Sequence, residues 1–385
     1  MAATWLTKGE VNERYYAEVG GEIVFTTEAQ AGYHAVAVAR LIAAQASARG
    51  VEELRILELG ANDGTFAAVL LQLLGDLRGR RGPRKVDYYA GEWSRSALEG
   101  ALAVNARSGR FDRVQRGRDS LVALLTSSTW PEASLYLVHA EANELARRST
   151  GTFDVVILNE LLDDLPSRVY YADETGATHE LLAETREEEG GWTVRVRAEP
   201  AERVGLAPGT LTATSQESLT LVTRLEELLA PGGLLLVHDY GFADDPTNLW
   251  QYEELPRSLP PFVTQDFPAG SERGFPRAFY RVFGNEARRA IQITTDVNFG
   301  ELVDVLAPNG DVLVLPHGTA ILGERRYEPH DGVFVSEFAL LPDNANLHAR
   351  VARLVEQQGE LRERYAQRYL GGKQAIFSDL VYVKR

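Results

Sequence analysis

The chain has 385 residues, enough for about two domains, with an ordinary apolar share of 44% and a net charge of −15. That acidity, with no long basic block, argues against a nucleic-acid partner, because phosphate backbones would be repelled. The absence of cysteine excludes disulfides, thiolate metal sites and thiolate nucleophiles.

Residues 1–50 read as a helical lead-in that covers a ligand site, without the long apolar core of a signal peptide. The longest apolar runs, FAAVLL and GLLLVHDY, are far shorter than a membrane span, so the expected location is the cytoplasm, with no membrane contact. From Val51 to Pro166, short apolar runs alternate with amphipathic stretches: RILELG, TFAAVLLQLLGDL, VDYYAGEW, SALEGALAVN, SLYLVHAEA and FDVVILNELL. That alternation predicts βαβ units around a parallel sheet whose two faces are covered by helices. The core is expected to comprise 51–166 and 213–242, the latter holding the helix SLTLVTRLEELL, a glycine just past its end at Gly232, and the buried strand GLLLVHDYG. Between them, 167–212 reads as an antiparallel β insertion, with the charged stretch ETREEEGG as a solvated turn. Residues 243–290, rich in Pro, Gly and aromatics, read as a substrate-side cap, and 291–385 as the C-terminal part of the core, ending in a helix (LVEQQGELRERYAQRYL) and a strand (FSDLVYVKR).

The first strand ends at Glu58 and opens into Gly60, Ala61, Asn62, Asp63 and Gly64, giving E-x-G-x-N-x-G. A dinucleotide loop would read G-x-G-x-x-G with an acidic residue about 20 positions on. The observed spacing instead matches the loop of class I S-adenosylmethionine methyltransferases, which disfavours an NAD-dependent oxidoreductase. Gly60 lets the backbone approach a ligand, and Gly64 relaxes the turn into the next helix. Asn62 replaces a glycine because asparagine tolerates left-handed dihedrals better than most residues.

The second strand ends in Glu92 and Trp93, placing a carboxylate where it can accept both ribose hydroxyls. Glu141, after the third strand, is a candidate adenine contact, and His139 reads as a satisfied buried histidine. With seven histidines and no H-x-x-x-H cluster, the sequence shows no metal site. The fourth strand runs directly into Asn159, Glu160, Asp163 and Asp164. Ligands of open α/β sheets lie beyond the carboxyl ends of the strands, and helix capping accounts for only one or two of these polar residues.

Taken in order, ELGANDG, NELLDDLP, HDYG and ITTDVNFGEL, preceded by VFTTEA, resemble the MidA-like methyltransferases, relatives of the mitochondrial complex I assembly protein arginine methyltransferase. The resemblance spans about Ile23 to Phe299. It departs at Asn62, at Asp164 and in VFTTEA, which lacks the proline usual there. It implies an α/β fold of the class I S-adenosyl-L-methionine methyltransferase type: a Rossmann-like, seven-stranded, mostly parallel sheet with a β insertion and an aromatic-rich cap. It also implies S-adenosyl-L-methionine as cofactor, held by Glu58, the loop residues Gly60 to Gly64, Glu92, Trp93, Glu141 and Asn159. An arginine acceptor would be oriented and relieved of its proton by Glu160 and Asp163, with Asn159 positioning the nucleophile and Asp239 and Tyr240 lining the other side. Trp250, Tyr252 and Phe262 would supply aromatic walls. Two alternatives stay open: a small-molecule O- or N-methyltransferase, and a non-catalytic assembly factor that retains the fold.

Overall fold

Runs of consecutive apolar residues form strands buried on both faces, and the amphipathic stretches between them form the covering helices. This computed structural model describes residues 5–19, 32–77, 82–107, 111–149, 151–188, 190–202, 205–242, 261–266, 280–285, 288–316 and 377–385. The elements begin with β1 (Leu6–Thr7), α1 (Lys8–Val19), α2 (Gly32–Arg49), β2 (Glu53–Leu59), α3 (Thr65–Leu77) and β3 (Lys85–Glu92). Next come α4 (Arg95–Arg107), β4 (Arg113–Arg116), β5 (Leu121–Thr126), β6 (Ala133–His139), α5 (Ala142–Arg148) and β7 (Phe153–Asn159). The chain continues through β8 (Arg168–Ala172), β9 (Thr178–Glu188), β10 (Gly191–Pro200), β11 (Leu211–Thr214), α6 (Gln216–Leu228) and β12 (Leu229–Phe242). It closes with β13 (Val263–Asp266), β14 (Tyr280–Asn285), β15 (Ala290–Thr295), β16 (Val297–Asn298), α7 (Phe299–Leu306), β17 (Gly310–Pro316) and β18 (Phe377–Lys384). Among the described residues, no helix is long and apolar enough to cross a membrane.

The chain forms two units. The larger, Gly21–Glu160 with Leu221–His238 and Val303–Arg385, is Rossmann-like. Its strand order is β17-β18-β12-β7-β2-β3-β6-β5-β4. β12, β7, β2, β3 and β6 pair in parallel, and β17 pairs antiparallel with β18. These seven strands are the sheet expected from the motifs. The antiparallel β4–β5 hairpin extends it past β6 and was not anticipated, because RVQR is a short exposed edge strand with no apolar face. The core packs Val38 and Ile42 of α2, Leu70 and Leu74 of α3, and Leu98 of α4 around Ile56, Tyr88, Val155 and Leu234 of the sheet. At roughly 1.5–3 kcal/mol for each fully buried large apolar side chain, this set is the main driving force for the unit.

The second unit comprises Met1–Gly20, Leu161–Thr220 and Asp239–Leu302. Its sheet runs β11-β8-β9-β10-β13, with β1 paired to β9, and Gly241 and Phe242 at the end of β12 pair with Val297 and Asn298. Val11 of α1 joins Trp192, Val194, Val263 and Ile293 in one apolar cluster. Thus 8–19 of the lead-in and the segment 290–302 belong to the unit that carries the β insertion. One sequence reading is corrected. ETREEEGG is not a loop but mostly strand: β9 continues to Glu188, and the turn comes at Gly190 (φ 103°). The period-2 pattern explains this, since Ala183 and Thr185 point inward while Glu184 pairs across the hairpin with Arg195 and Arg197. Most of the cap, with Trp250 and Tyr252, as well as VFTTEA and the helix LVEQQGELRERYAQRYL, lies outside the described residues. Phe262 packs against the Trp192 cluster of the second unit.

Gly64 is the tightest point of the α3–α4 junction. It has φ 68°, and a Cβ there would lie 2.9 Å from the Ala101 Cβ. Gly64→Ala should therefore lower the unfolding free energy by at least about 1–2 kcal/mol, the cost of left-handed backbone for an L-residue. Gly9→Ala, with nothing within 4 Å, should cause no loss. Urea denaturation of the two variants checks this, and equal midpoints would contradict it.

Candidate active site

In the Rossmann-like unit the parallel register brings the carboxyl ends of β2, β3, β6, β7 and β12 to one edge. The loop after β2 is held there by backbone bonds from Gly60 and Ala61 N–H to the Gly91 carbonyl at 2.9 and 3.1 Å. Gly60, Asn62 and Gly64 have φ of 74°, 49° and 68°, so the asparagine takes a left-handed conformation in line with the sequence argument. Asp63 accepts from the Thr65 N–H and hydroxyl at 3.0 and 2.6 Å, which stabilises the first turn of α3.

Glu92 is buried at the end of β3. One carboxylate oxygen accepts from the Asn62 N–H at 3.0 Å and the other from the Ser94 N–H at 2.9 Å. It therefore fixes the loop from the neighbouring strand, through a carboxylate that can accept from several donors at once. Trp93 follows at 39% exposure. Glu141 is the N-cap of α5, accepting from the Asn143 and Glu144 N–H groups at 2.9 and 2.8 Å. Helix capping explains this residue locally.

Glu58 faces inward. It accepts from the Tyr88 hydroxyl at 2.8 Å and stands 3.5 Å from the Asn159 amide nitrogen. Burial pushes its carboxyl up to about 7, opposed by these hydrogen bonds. Asn159 is itself buried, with its amide oxygen 3.1 Å from His34 Nε2, so both ends of its side chain are oriented. Glu160 comes next, half-buried, with φ 47° and its N–H bonded to the His238 carbonyl at 2.7 Å. Left-handed backbone is uncommon for a glutamate and is found where surroundings enforce it, often at functional sites. His34 stacks on His238 with centroids 4.4 Å apart, and His238 Nδ1 lies 2.9 Å from an Asp379 oxygen.

In the second unit, Asp239 is wholly inaccessible and accepts from the N–H groups of Leu162, Asp163 and Tyr240 at 2.8, 3.2 and 2.7 Å. Burial raises its carboxyl to about 7. Through these bonds Asp239 holds the segment after β7 in shape. Tyr240 is also buried, tilted against Phe283 at 6.3 Å. Asp163 is buried, and Asp164 is bound by the Tyr16 hydroxyl and by Gln292 at 2.6 and 2.7 Å.

Sequence reasoning missed Lys8. Its buried ammonium donates to the carbonyls of Asp163 and Leu165 at 2.5 and 3.0 Å and to the hydroxyls of Ser167 and Thr295 at 3.2 and 2.9 Å. Burial lowers its pKa to about 8, with Asp164, Asp163, Asp239 and Asp296 opposing. A single lysine more than 150 positions from its partners leaves no local signal.

A protein-family profile described as "Putative S-adenosyl-L-methionine-dependent methyltransferase" matches residues 35–257, more than half of the chain. No curated protein matches. The crystal structure of a superfamily member from Burkholderia thailandensis bound to S-adenosyl-homocysteine is similar over 99% of this chain and 88% of its own, with 17% identity and a TM-score of 0.59. A native structure of an uncharacterized protein from Burkholderia thailandensis is similar over 99% and 87%, with 17% identity and a TM-score of 0.58. At that identity, both establish the fold.

Two stability predictions follow from the buried charges. Glu58 binds its proton more tightly in the folded chain (about 7) than at its ordinary 4.5. Its contribution is therefore complete below pH 4.5 and lost as pH rises through 7. Glu58→Gln should flatten that decline by about 3 kcal/mol, measured by denaturation between pH 4.5 and 8; an unchanged profile would refute the assignment. Lys8→Met leaves buried acceptors and carboxylates uncompensated and should cost about 3–5 kcal/mol in the same assay.

Proposed function

We propose, from the premise that the chain belongs to this family of S-adenosyl-L-methionine-dependent methyltransferases, in the MidA-like class its motifs resemble, that it methylates a cationic nitrogen of the arginine type. The observation that carries this reading is the strand edge of the Rossmann-like unit. The left-handed loop after β2, the oriented carboxylate of Glu92 and the pair Asn159–Glu160 all lie at the carboxyl ends of parallel strands. These residues suit a nucleoside sulfonium. Gly60 and Gly64 place no side chain over the backbone, and the Glu92 carboxylate is the chemistry that accepts ribose hydroxyls. The cofactor supplies an electrophilic methyl group on a sulfonium.

The rest of the chemistry belongs to the chain. Methyl transfer needs the nucleophile held in line, and positioning supplies most of the rate. Asn159, fixed between His34 and Glu58, offers a stationary amide for that purpose. A guanidinium is charged at neutral pH, with a pKa above about 12, and releases one proton when a nitrogen is methylated. Glu160, held in its left-handed conformation at the strand end, is the carboxylate we assign to orient the acceptor N–H groups and take that proton. Asp163, Asp239 and Tyr240 are assigned to shape the segment that follows, since each is buried.

Glu92→Ala should weaken S-adenosyl-homocysteine binding by roughly 1–3 kcal/mol in calorimetry, the range for hydrogen bonds to a charged group. Glu160→Gln should leave that affinity nearly intact while methyl transfer falls roughly 10²–10⁴-fold, the mark of an interaction made in the transition state. Labelled cofactor incubated with cell extract, followed by mass spectrometry, identifies the acceptor. Label only on a neutral small molecule would reject the arginine reading in favour of a small-molecule methyltransferase. No label on any acceptor, with binding retained, would favour an assembly factor.

A further inference from the structure

We propose that His34, His238 and Asp379 form a binding site for one divalent transition-metal ion of the zinc class in the interior of the Rossmann-like unit. The three side chains come from α2, β12 and β18 and are each no more than 2% exposed. One ligand atom from each lies within 4.8 Å of the others, and among the described residues no other group of three is so arranged. Two imidazoles and a carboxylate are a common donor set for zinc and related divalent ions.

The geometry supports shared ligation in three ways. His238 Nδ1 and Asp379 Oδ1 are 2.9 Å apart. Two adjacent ligands, each about 2.0–2.2 Å from one ion, stand about 3 Å apart when they subtend a right angle. The His34 and His238 rings have centroids 4.4 Å apart and planes inclined at 37°. At those metal–nitrogen distances, two imidazoles place their centroids about 4.5 Å apart when they subtend a right angle at the ion and about 5.2 Å at a tetrahedral angle. Finally, His34 Nε2 lies 3.1 Å from the Asn159 amide oxygen. That oxygen only accepts, so Nε2 carries the hydrogen and the neutral ring has its basic lone pair on Nδ1. Metal-bound histidines commonly donate their second N–H to an oxygen in this way.

Burial supplies the energetic motive. Two neutral imidazoles side by side offer two nitrogen lone pairs to one cation, whereas protonating both would set two like charges together. A divalent ion would be held by both rings and partly balanced by Asp379. It would tie α2 to β12 and β18 and, through His34, fix the amide of Asn159. The site does not depend on the methyl acceptor and can be tested without turnover.

Tag-free full-length chain, stripped with EDTA and dialysed, is titrated with zinc chloride by calorimetry and separately loaded with Co²⁺ for visible spectroscopy. The proposal expects one zinc equivalent, Co²⁺ d–d absorption unlike that of the hydrated ion, and a melting temperature that rises with zinc because only the folded chain binds. His34→Gln and His238→Gln should each weaken binding by at least roughly 100-fold, and Asp379→Asn by at least roughly 10-fold. A wild-type chain that takes up no stoichiometric zinc and leaves the Co²⁺ spectrum that of the free ion overturns the proposal, whether or not the variants fold. So does zinc binding that the folded double variant His34→Gln/His238→Gln retains unchanged.

Discussion

The structure depends on carboxylates that accept backbone N–H groups where parallel strands end. A parallel strand leaves its sheet through a loop whose N–H groups have lost their ladder partners, and at a buried edge each must find an acceptor. Glu92, at the end of β3, meets this need for Asn62 after β2. Asp239, near the end of β12, meets it for Leu162 and Asp163 after β7. In both cases the acidic residue of one strand shapes the loop of a neighbour in the sheet. Two loops at strand ends are thereby fixed by side chains that sequence patterns would assign to a ligand.

These anchors have electrostatic consequences. Burial raises the carboxyls of Glu58 and Asp239 to about 7, because desolvation penalises the charged form more than nearby donors reward it. In the second unit the balance is struck by Lys8, whose ammonium binds the carbonyls of Asp163 and Leu165 while the surrounding aspartates oppose its loss of charge. The segment after β7 is thus held by a carboxylate at its N–H groups and by an ammonium at its carbonyls. In the Rossmann-like unit, the left-handed backbone of Glu160 is held by its own N–H bond to the His238 carbonyl.

What the sequence revealed follows from how local each signal is. β2, α3 and β7 were legible because unbroken apolar runs and helical periodicity are local properties. Asn62 was legible because few residue types accept a left-handed turn. ETREEEGG was misread because charge was taken as evidence of a turn, whereas a strand with one solvated face alternates charge with buried residues such as Thr185. Glu141, a candidate adenine contact by its place after a strand, is also the N-cap of α5. Lys8, and the grouping of His34, His238 and Asp379, had no local signal at all. His238 and Asp379 are 141 positions apart, and only the strand order of the sheet makes them neighbours.

The distinction between acids that build and acids that react bears on the acceptor. Read along the chain, Asn159, Glu160, Asp163, Asp164 and Asp239 form one acidic rim. In three dimensions Asp239 serves backbone N–H groups, Asp164 serves Tyr16 and Gln292, and Asp163 is buried. The proposed substrate contact therefore falls to Glu160, half-buried and with a left-handed backbone at the end of β7. A carboxylate can meet a single planar cation through paired N–H donors, which is the chemistry proposed for Glu160. The proposed guanidinium acceptor thus draws on the arrangement of the strand edge, and not on the number of acidic residues in the motif.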